Sequence, residues 1–308
     1  MTSEQLIDMF LLATKARNLS SRTIQAYSGD LHAFVSFLGS VQIVEVSVAL
    51  LREYLSKAEN NGLCSSSIRR RLATLKCFYC FLEHEGIVAL SPTKRLTGRF
   101  RTPTKLPRVM SSQDVVRLLQ TAYRLTRLAC KGTKESNYRA KRNYLIVEIL
   151  FSTGIRIDEM VKLNICDIDA EAGSFVIYGK GRKERLLFIS SKEVLREVRC
   201  YLGLRSRMSL DTDALLLNRF NQRLSIYSIG KIFRYLTDRA NIYKKYTPHC
   251  LRHTMATMLI DNGADLRSVQ EILGHTSIST TERYITVTNK RKKEVFERFN
   301  QRNSIRLR

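Results

Sequence analysis

The chain has 308 residues, 44% of them hydrophobic, which is enough for two domains with a core each. Its 52 Lys and Arg against 28 Asp and Glu leave a net charge of +24 spread along the whole length, so a polyanionic partner is implied and duplex DNA or RNA fits better than a membrane surface. No run of about 18 apolar residues offers a membrane span, and MTSEQLIDMF has neither the basic start nor the small-residue cleavage site of a secretory leader, so a cytoplasmic protein without membrane contact is expected.

Up to about residue 98 the pattern is helical. Ser20 or Ser21 can cap a segment in which Ile24, Tyr27, Leu31, Phe34 and Leu38 recur at spacings of three and four. A second helix is expected from near Val48. From Ser65 to His84, Ile68, Leu72, Leu75, Tyr79 and Leu82 share one face while Arg69, Arg70, Arg71 and Lys76 lie on others. That is an amphipathic helix with a basic side, and these four cations are candidate DNA contacts. Cys77 and Cys80 form a lone CxxC in the same stretch, without a second pair at zinc spacing, and are expected to pack in the core. All seven cysteines are read as free thiols.

Between Ser91 and Pro107 stand three of the four prolines among basic residues, with no apolar period. The interdomain linker is placed at 99–109, separating an N-terminal domain, 1–98, from a second domain, 110–308. The second domain opens on a cap signal, Ser111-Ser112-Gln113-Asp114, followed after a basic stretch by a buried helix from Tyr144 to Phe151. Ser174–Tyr178 and Arg185–Ile189 are β-rich runs flanking Gly179-Lys180-Gly181-Arg182-Lys183, which predicts a hairpin with a cationic tip; Arg182 and Lys183 join the candidate DNA contacts. Asp167 and Asp169 are assigned to the turn entering it rather than to a metal site. From Lys192 onward the pattern is again mainly helical.

Attack on a phosphodiester requires a nucleophile, cations on the non-bridging oxygens and an acid for the departing oxygen. Several segments carry suitable groups. In Thr153-Gly154-Ile155-Arg156-Ile157-Asp158-Glu159 a glycine ends one helix and Arg156 opens the next; its fork suits two phosphate oxygens, although a salt bridge to Asp158 or Glu159 reads equally well. Lys180 at the hairpin tip suits proton donation, or is a solvated turn. Thr247-Pro248 marks a helix start that sets His249 and Arg252 three apart on one face; His249 with His253 lacks a third metal ligand. Gly274-His275 precedes Tyr284, whose phenol needs nearby cations to act as a nucleophile.

Together TGIRIDEM, YGKGRKERLLFI, HCLRHTMAT and LGHTSISTTERY resemble, in order and spacing, the boxes of the tyrosine recombinase (phage integrase) family, and closely its Xer-type members. The resemblance covers nearly the whole chain. It implies a mainly α protein with a small antiparallel sheet, in which an N-terminal helical core-binding (SAM-like) domain and a C-terminal α+β catalytic domain clamp double-stranded DNA. It further implies that Arg156 and Arg252 bind the scissile phosphate, Lys180 protonates the departing 5′ oxygen, His249 assists proton transfer, His275 supports a phosphate oxygen, Tyr284 forms a 3′-phosphotyrosyl bond, and Glu159 buttresses the site. Neither cofactor nor ATP is required, since the phosphotyrosyl bond keeps the energy of the cut one. The family also implies a homotetramer on two DNA sites, joined through a C-terminal helix near Lys290–Phe299, although that helix could instead pack on its own domain. Two features depart from compact Xer proteins: a longer basic segment around Arg127–Arg142, and Glu282-Arg283 in place of Gln-Ile before Tyr284. The basic segment favours integration or excision of a mobile element over resolution of chromosome or plasmid multimers. A non-catalytic DNA-binding protein and a type IB topoisomerase are the readings from other classes.

Overall fold

The computed structural model describes residues 1–96, 108–179, 184–208, 210–274 and 289–306, and the chain divides into two compact units, Met1–Lys105 and Leu106–Arg308. The linker expected at 99–109 lies, apart from Arg108 and Val109, outside the described residues.

The first unit is built from α1 (Ser3–Ala16), α2 (Ser21–Leu38), α3 (Val48–Asn60) and α4 (Ser65–His84). Thr2, Ser20 and Ser47 each cap the following helix by accepting a backbone N–H, and Thr2 exchanges bonds with Gln5 in a capping box. The opening residues, which the sequence pattern left unassigned, therefore form a regular amphipathic helix. Phe34 sits edge-on to Tyr54, with centroids 5.0 Å apart, and Phe10 edge-on to Phe78 at 5.3 Å, in a core completed by the predicted stripe of α4.

The expected core placement of Cys77 and Cys80 is corrected: both are exposed. The buried stripe of α4 runs through Leu72, Leu75, Phe78, Tyr79 and Leu82, and positions 77 and 80 fall beside it. Cys77 accepts a long contact of 3.7 Å from the Tyr27 hydroxyl.

In the second unit α5 (Ser112–Ala129) and α6 (Lys134–Thr153) form an antiparallel pair, followed by the short α7 (Ile157–Met160). Every residue from Tyr144 to Thr153 is buried, so the second half of α6 is a central post, covered around its whole circumference and flanked by α5, α8 and α10. The basic stretch 124–142 is thus not a separate feature: it comprises the last turns of α5, a short turn and the first half of α6. Strands β1 (Ile168–Asp169), β2 (Ser174–Tyr178) and β3 (Glu184–Phe188) make an antiparallel sheet in that order, with Phe175 opposite Leu187 and Tyr178 opposite Glu184. The hairpin is as predicted, while its tip, 180–183, lies outside the described residues. Asp169 accepts the N–H groups of Glu171 and Ala172 and so shapes the turn into β2.

Helices α8 (Lys192–Ser206), α9 (Ile226–Arg239), α10 (Pro248–Asp261) and α11 (Leu266–Leu273) complete the wall around α6, and α12 (Asn289–Phe299) follows. Val295 and Phe296 of α12 are buried in the core of their own unit. Behind them Arg302, 1% exposed, donates two bonds of 2.6 and 2.8 Å to the buried Glu148 of α6. In the single chain the C-terminal helix therefore lies on its own domain, because its apolar face and this ion pair are both satisfied there. Among the described residues no helix is long and apolar enough to cross a membrane. The architecture is mainly α with one small antiparallel sheet.

Candidate active site

Two glycines that end helices organise the site. Gly154 caps α6 and Gly274 caps α11, with φ of +63° and +64°, the left-handed region where a Cβ is penalised. A side chain on Gly154 would come within 2.0 Å of the Met255 Cε. Their carbonyls point at arginines. Arg252, on α10, donates from Nη1 to Gly154 O and from Nη2 to Leu273 O at 2.6 Å; Arg156 donates from Nη2 to Gly274 O at 2.7 Å. Helix C-termini carry partial negative charge, so each guanidinium sits where a cation is favoured.

The second anchor is Glu159, on α7. Its carboxylate receives a bidentate pair from Arg185 of β3, at 2.7 and 2.6 Å, and a bond of 3.0 Å from Arg156 Nη1. Burial alone would raise Glu159, but the Arg185 fork and charge, with Arg156 behind them, hold it below its ordinary value. One carboxylate thus serves two guanidiniums, and with Arg252 beside them the pocket carries excess positive charge. The salt-bridge reading of Arg156 and its phosphate reading are not exclusive: the side chain pairs with Glu159 and still keeps 32% of its surface open.

His249 begins α10, one turn before Arg252. Its pKa is lowered, first by partial desolvation and then by the charges of Arg252 and His253, while Asp158 pulls the other way. Arg252 is lowered to about 10, by burial first and Arg156 second, and stays protonated at neutral pH. Arg252 and Arg156 meet at the end of α11, on the consecutive carbonyls of Leu273 and Gly274, and His249 stands one turn before Arg252 on α10. Lys180, Arg182, Lys183, His275 and Tyr284, also expected in the site or on DNA, lie outside the described residues.

Arg185 was missed by sequence reasoning, which took it as the first residue of a strand. The available signal was its alternation: with Leu187 facing the core, Arg185 projects to the same side of β3, an unusual place for a cation unless a carboxylate waits there.

Of the candidate DNA contacts on α4, Arg70 binds the buried Asp30 at 2.5 Å and is half exposed. Arg71 donates to the Tyr54 hydroxyl at 3.1 Å and lies over that ring, so it braces the helix pair. Arg69 and Lys76 are exposed.

The model of the Phage integrase family matches residues 108–291, and that of the Phage integrase N-terminal SAM-like domain matches residues 7–86. Tyrosine recombinase XerD of Listeria innocua is 35% identical over 311 residues, covering 96% of this chain and 99% of the relative. Tyrosine recombinase XerC of Thermodesulfovibrio yellowstonii is 32% identical over 284 residues, covering 91% and 90%. Among solved structures, the XerH site-specific recombinase in a post-cleavage complex with a palindromic difH substrate superposes with a TM-score of 0.71 at 22% identity, covering 98% of this chain and 83% of that one, a likeness of fold. With a site of clustered guanidiniums, full-length kinship to two tyrosine recombinases and both family models in their expected order, the chain belongs to the phage integrase family and is a tyrosine recombinase.

Proposed function

We propose that this recombinase cuts and rejoins double-stranded DNA at a specific site through a covalent 3′-phosphotyrosyl intermediate. The observation that supports this most is the convergence of Arg156, Arg252 and His249 on one cationic locus held open by Gly154, Gly274 and Glu159. Arg156 and Arg252 exchange part of their carbonyl bonding for the non-bridging oxygens of the scissile phosphate. The phenolic oxygen of Tyr284 attacks phosphorus, its proton passing to neutral His249, and the bond to the 5′ oxygen breaks as Lys180 supplies that oxygen with a proton. His275 supports a phosphate oxygen. Resealing runs the same steps backward with the 5′ hydroxyl of a partner strand, so no ATP is consumed.

Exchange between two duplexes cuts four strands, one per tyrosine, and the working assembly is therefore a tetramer on two sites. We assign the protomer contact to α12, which must leave its own unit to reach a neighbour. Domain limits of 1–98 and 110–308, with core-binding and catalytic roles, complete the reading.

Within the family we favour Xer-type multimer resolution over mobile-element integration. The basic segment that favoured the latter is helical and continuous with α5 and α6, and the Xer relatives share the full length of the chain. A nicked suicide duplex tests the chemistry: wild type is expected to form a covalent protein–DNA adduct and Tyr284→Phe none. An adduct with Tyr284→Phe would overturn the assignment, and relaxation of a plasmid lacking any cognate site would turn the reading to a type IB topoisomerase. A dimeric plasmid with two directly repeated sites tests the role: reduction to monomers is expected.

A further inference from the structure

Between α5 and α9 lies an open pocket of about 420 Å³ lined by Arg117, Arg124 and Arg127 from one helix and Arg239 from the other, with no acidic residue in its wall. The three α5 arginines share a face because they stand seven and three residues apart. None of the four has a hydrogen bond or ion pair to another described residue, a state that exposed arginines such as Arg196 and Arg207 share; what sets these four apart is that they line one concavity. Four uncompensated guanidiniums around one concavity repel each other, and an arrangement of that kind is relieved by an anion. Guanidinium forks match phosphate oxygens in particular.

The pocket is joined to the candidate active site by a short cationic path. After Arg239 and Asn241 the α9–α10 loop presents Tyr243, 94% exposed, then exposed Lys244 and Lys245, and reaches His249 four residues later. The Tyr246 hydroxyl bonds Asp114 at 3.1 Å, fixing this loop to the first turn of α5, and Arg108 donates to Lys245 O. Along α5 the arginines extend over roughly 15 Å at 1.5 Å per residue, comparable to the rise of about four base-pair steps along a duplex axis.

We propose that the α5–α9 pocket is a second phosphate-binding site, which holds the backbone of duplex DNA several steps from the phosphate addressed by Arg156 and Arg252. It rests on the reading of the chain as a DNA-cutting recombinase and adds to it a contact that carries no base specificity. Part of the basic segment that set this sequence apart from compact relatives thereby acquires a role.

Because phosphate contacts are sequence-independent, a random-sequence duplex is a sufficient probe. Affinity is measured against salt concentration for the full chain and for the triple variant Arg117→Gln, Arg124→Gln, Arg127→Gln. Each lost phosphate contact lowers the log–log slope by about 0.9, so a fall of about 2 to 3 is expected. A charge-matched triple on α8 and its C-cap, Lys192→Gln, Arg196→Gln, Arg207→Gln, is expected to keep the wild-type slope. An unchanged slope in the pocket variant, or an equal fall in the α8 variant, overturns the proposal; the first would leave the pocket to an acidic protein partner. Failure of the broader reading is distinguishable, since it appears as wild-type protein that forms no covalent adduct on a suicide duplex whatever its salt dependence.

Discussion

Two buried carboxylates of the second unit handle arginine in opposite ways. Glu148 takes one guanidinium, Arg302, which uses Nε and Nη2 on the carboxylate and Nη1 on the Ile305 carbonyl; both residues are sealed from solvent. Glu159 is shared by Arg156 and Arg185, with Arg252 adjacent, and Arg156 remains partly open. The first arrangement is closed and, with Glu193 at 3.5 Å from Arg302 as well, carries no excess of positive charge; the second is cationic and accessible. A closed pair fixes the C-terminal segment to α6, whereas an open excess of charge is a place for an anion to be bound. Surplus charge with an exit to solvent, rather than burial of charge as such, distinguishes the candidate active site.

The sharpest test of this contrast is to open the closed pair. Glu148→Gln leaves the buried Arg302 guanidinium only a longer, 3.5 Å ion pair to the half-exposed Glu193 and is expected to cost about 3–5 kcal/mol, read as a lower denaturation midpoint of the catalytic unit. Replacing both partners with apolar residues, Glu148→Leu with Arg302→Met, should recover most of that loss. If the single and double variants are equally unstable, the pair is not what holds the tail. Because Arg302 follows α12, the single variant should also expose the C-terminal helix to protease, the release that the proposed protomer contact through α12 calls for.

Next in size is Arg156→Lys. Glu159 keeps its bidentate Arg185, so stability should change by only about 1 kcal/mol for so exposed a partner. The ammonium cannot fork onto two phosphate oxygens, and single-turnover cleavage should fall on the order of 10²–10³-fold. A variant that cleaves normally would remove Arg156 from the phosphate site.

The two glycines separate position from space. Gly154→Ala meets both the left-handed φ and the Met255 methyl, and should destabilise by about 1–3 kcal/mol while disturbing the carbonyl that holds Arg252. Gly274→Ala meets the same φ but approaches only Arg185, at 3.4 Å, so about 1 kcal/mol is expected. Equal losses from the two would mean that backbone conformation alone decides.

Much of this was legible beforehand. The stripe of α4, the cap at Ser111, the β2–β3 hairpin and the pairing of His249 with Arg252 follow from side-chain periodicity, which sequence displays. What escaped has no side-chain signature. Strand β1 is two residues long, too short for any alternation. The acceptors for Arg156 and Arg252 are backbone carbonyls, which every residue owns and only geometry selects. Cys77 and Cys80 were misplaced because an apolar stretch of helix still has an outer face, and a thiol pair near the stripe reads much like one inside it.

The smallest effect, and the one that reads the site's charge most directly, is the acid limb of cleavage. In the proposed mechanism His249 is neutral when it accepts the phenolic proton, and desolvation together with Arg252 and His253 lowers its pKa from the ordinary 6.5. Neutral imidazole is the form present above that lowered pKa, so the midpoint of the acid limb in the second-order cleavage rate of the free enzyme should lie below 6.5. Asp158 opposes the lowering, so Asp158→Asn should move the limb to still lower pH. A limb that moves upward in that variant would mean that the cations around His249 do not set its proton affinity, and the neutral-acceptor role would fall with it.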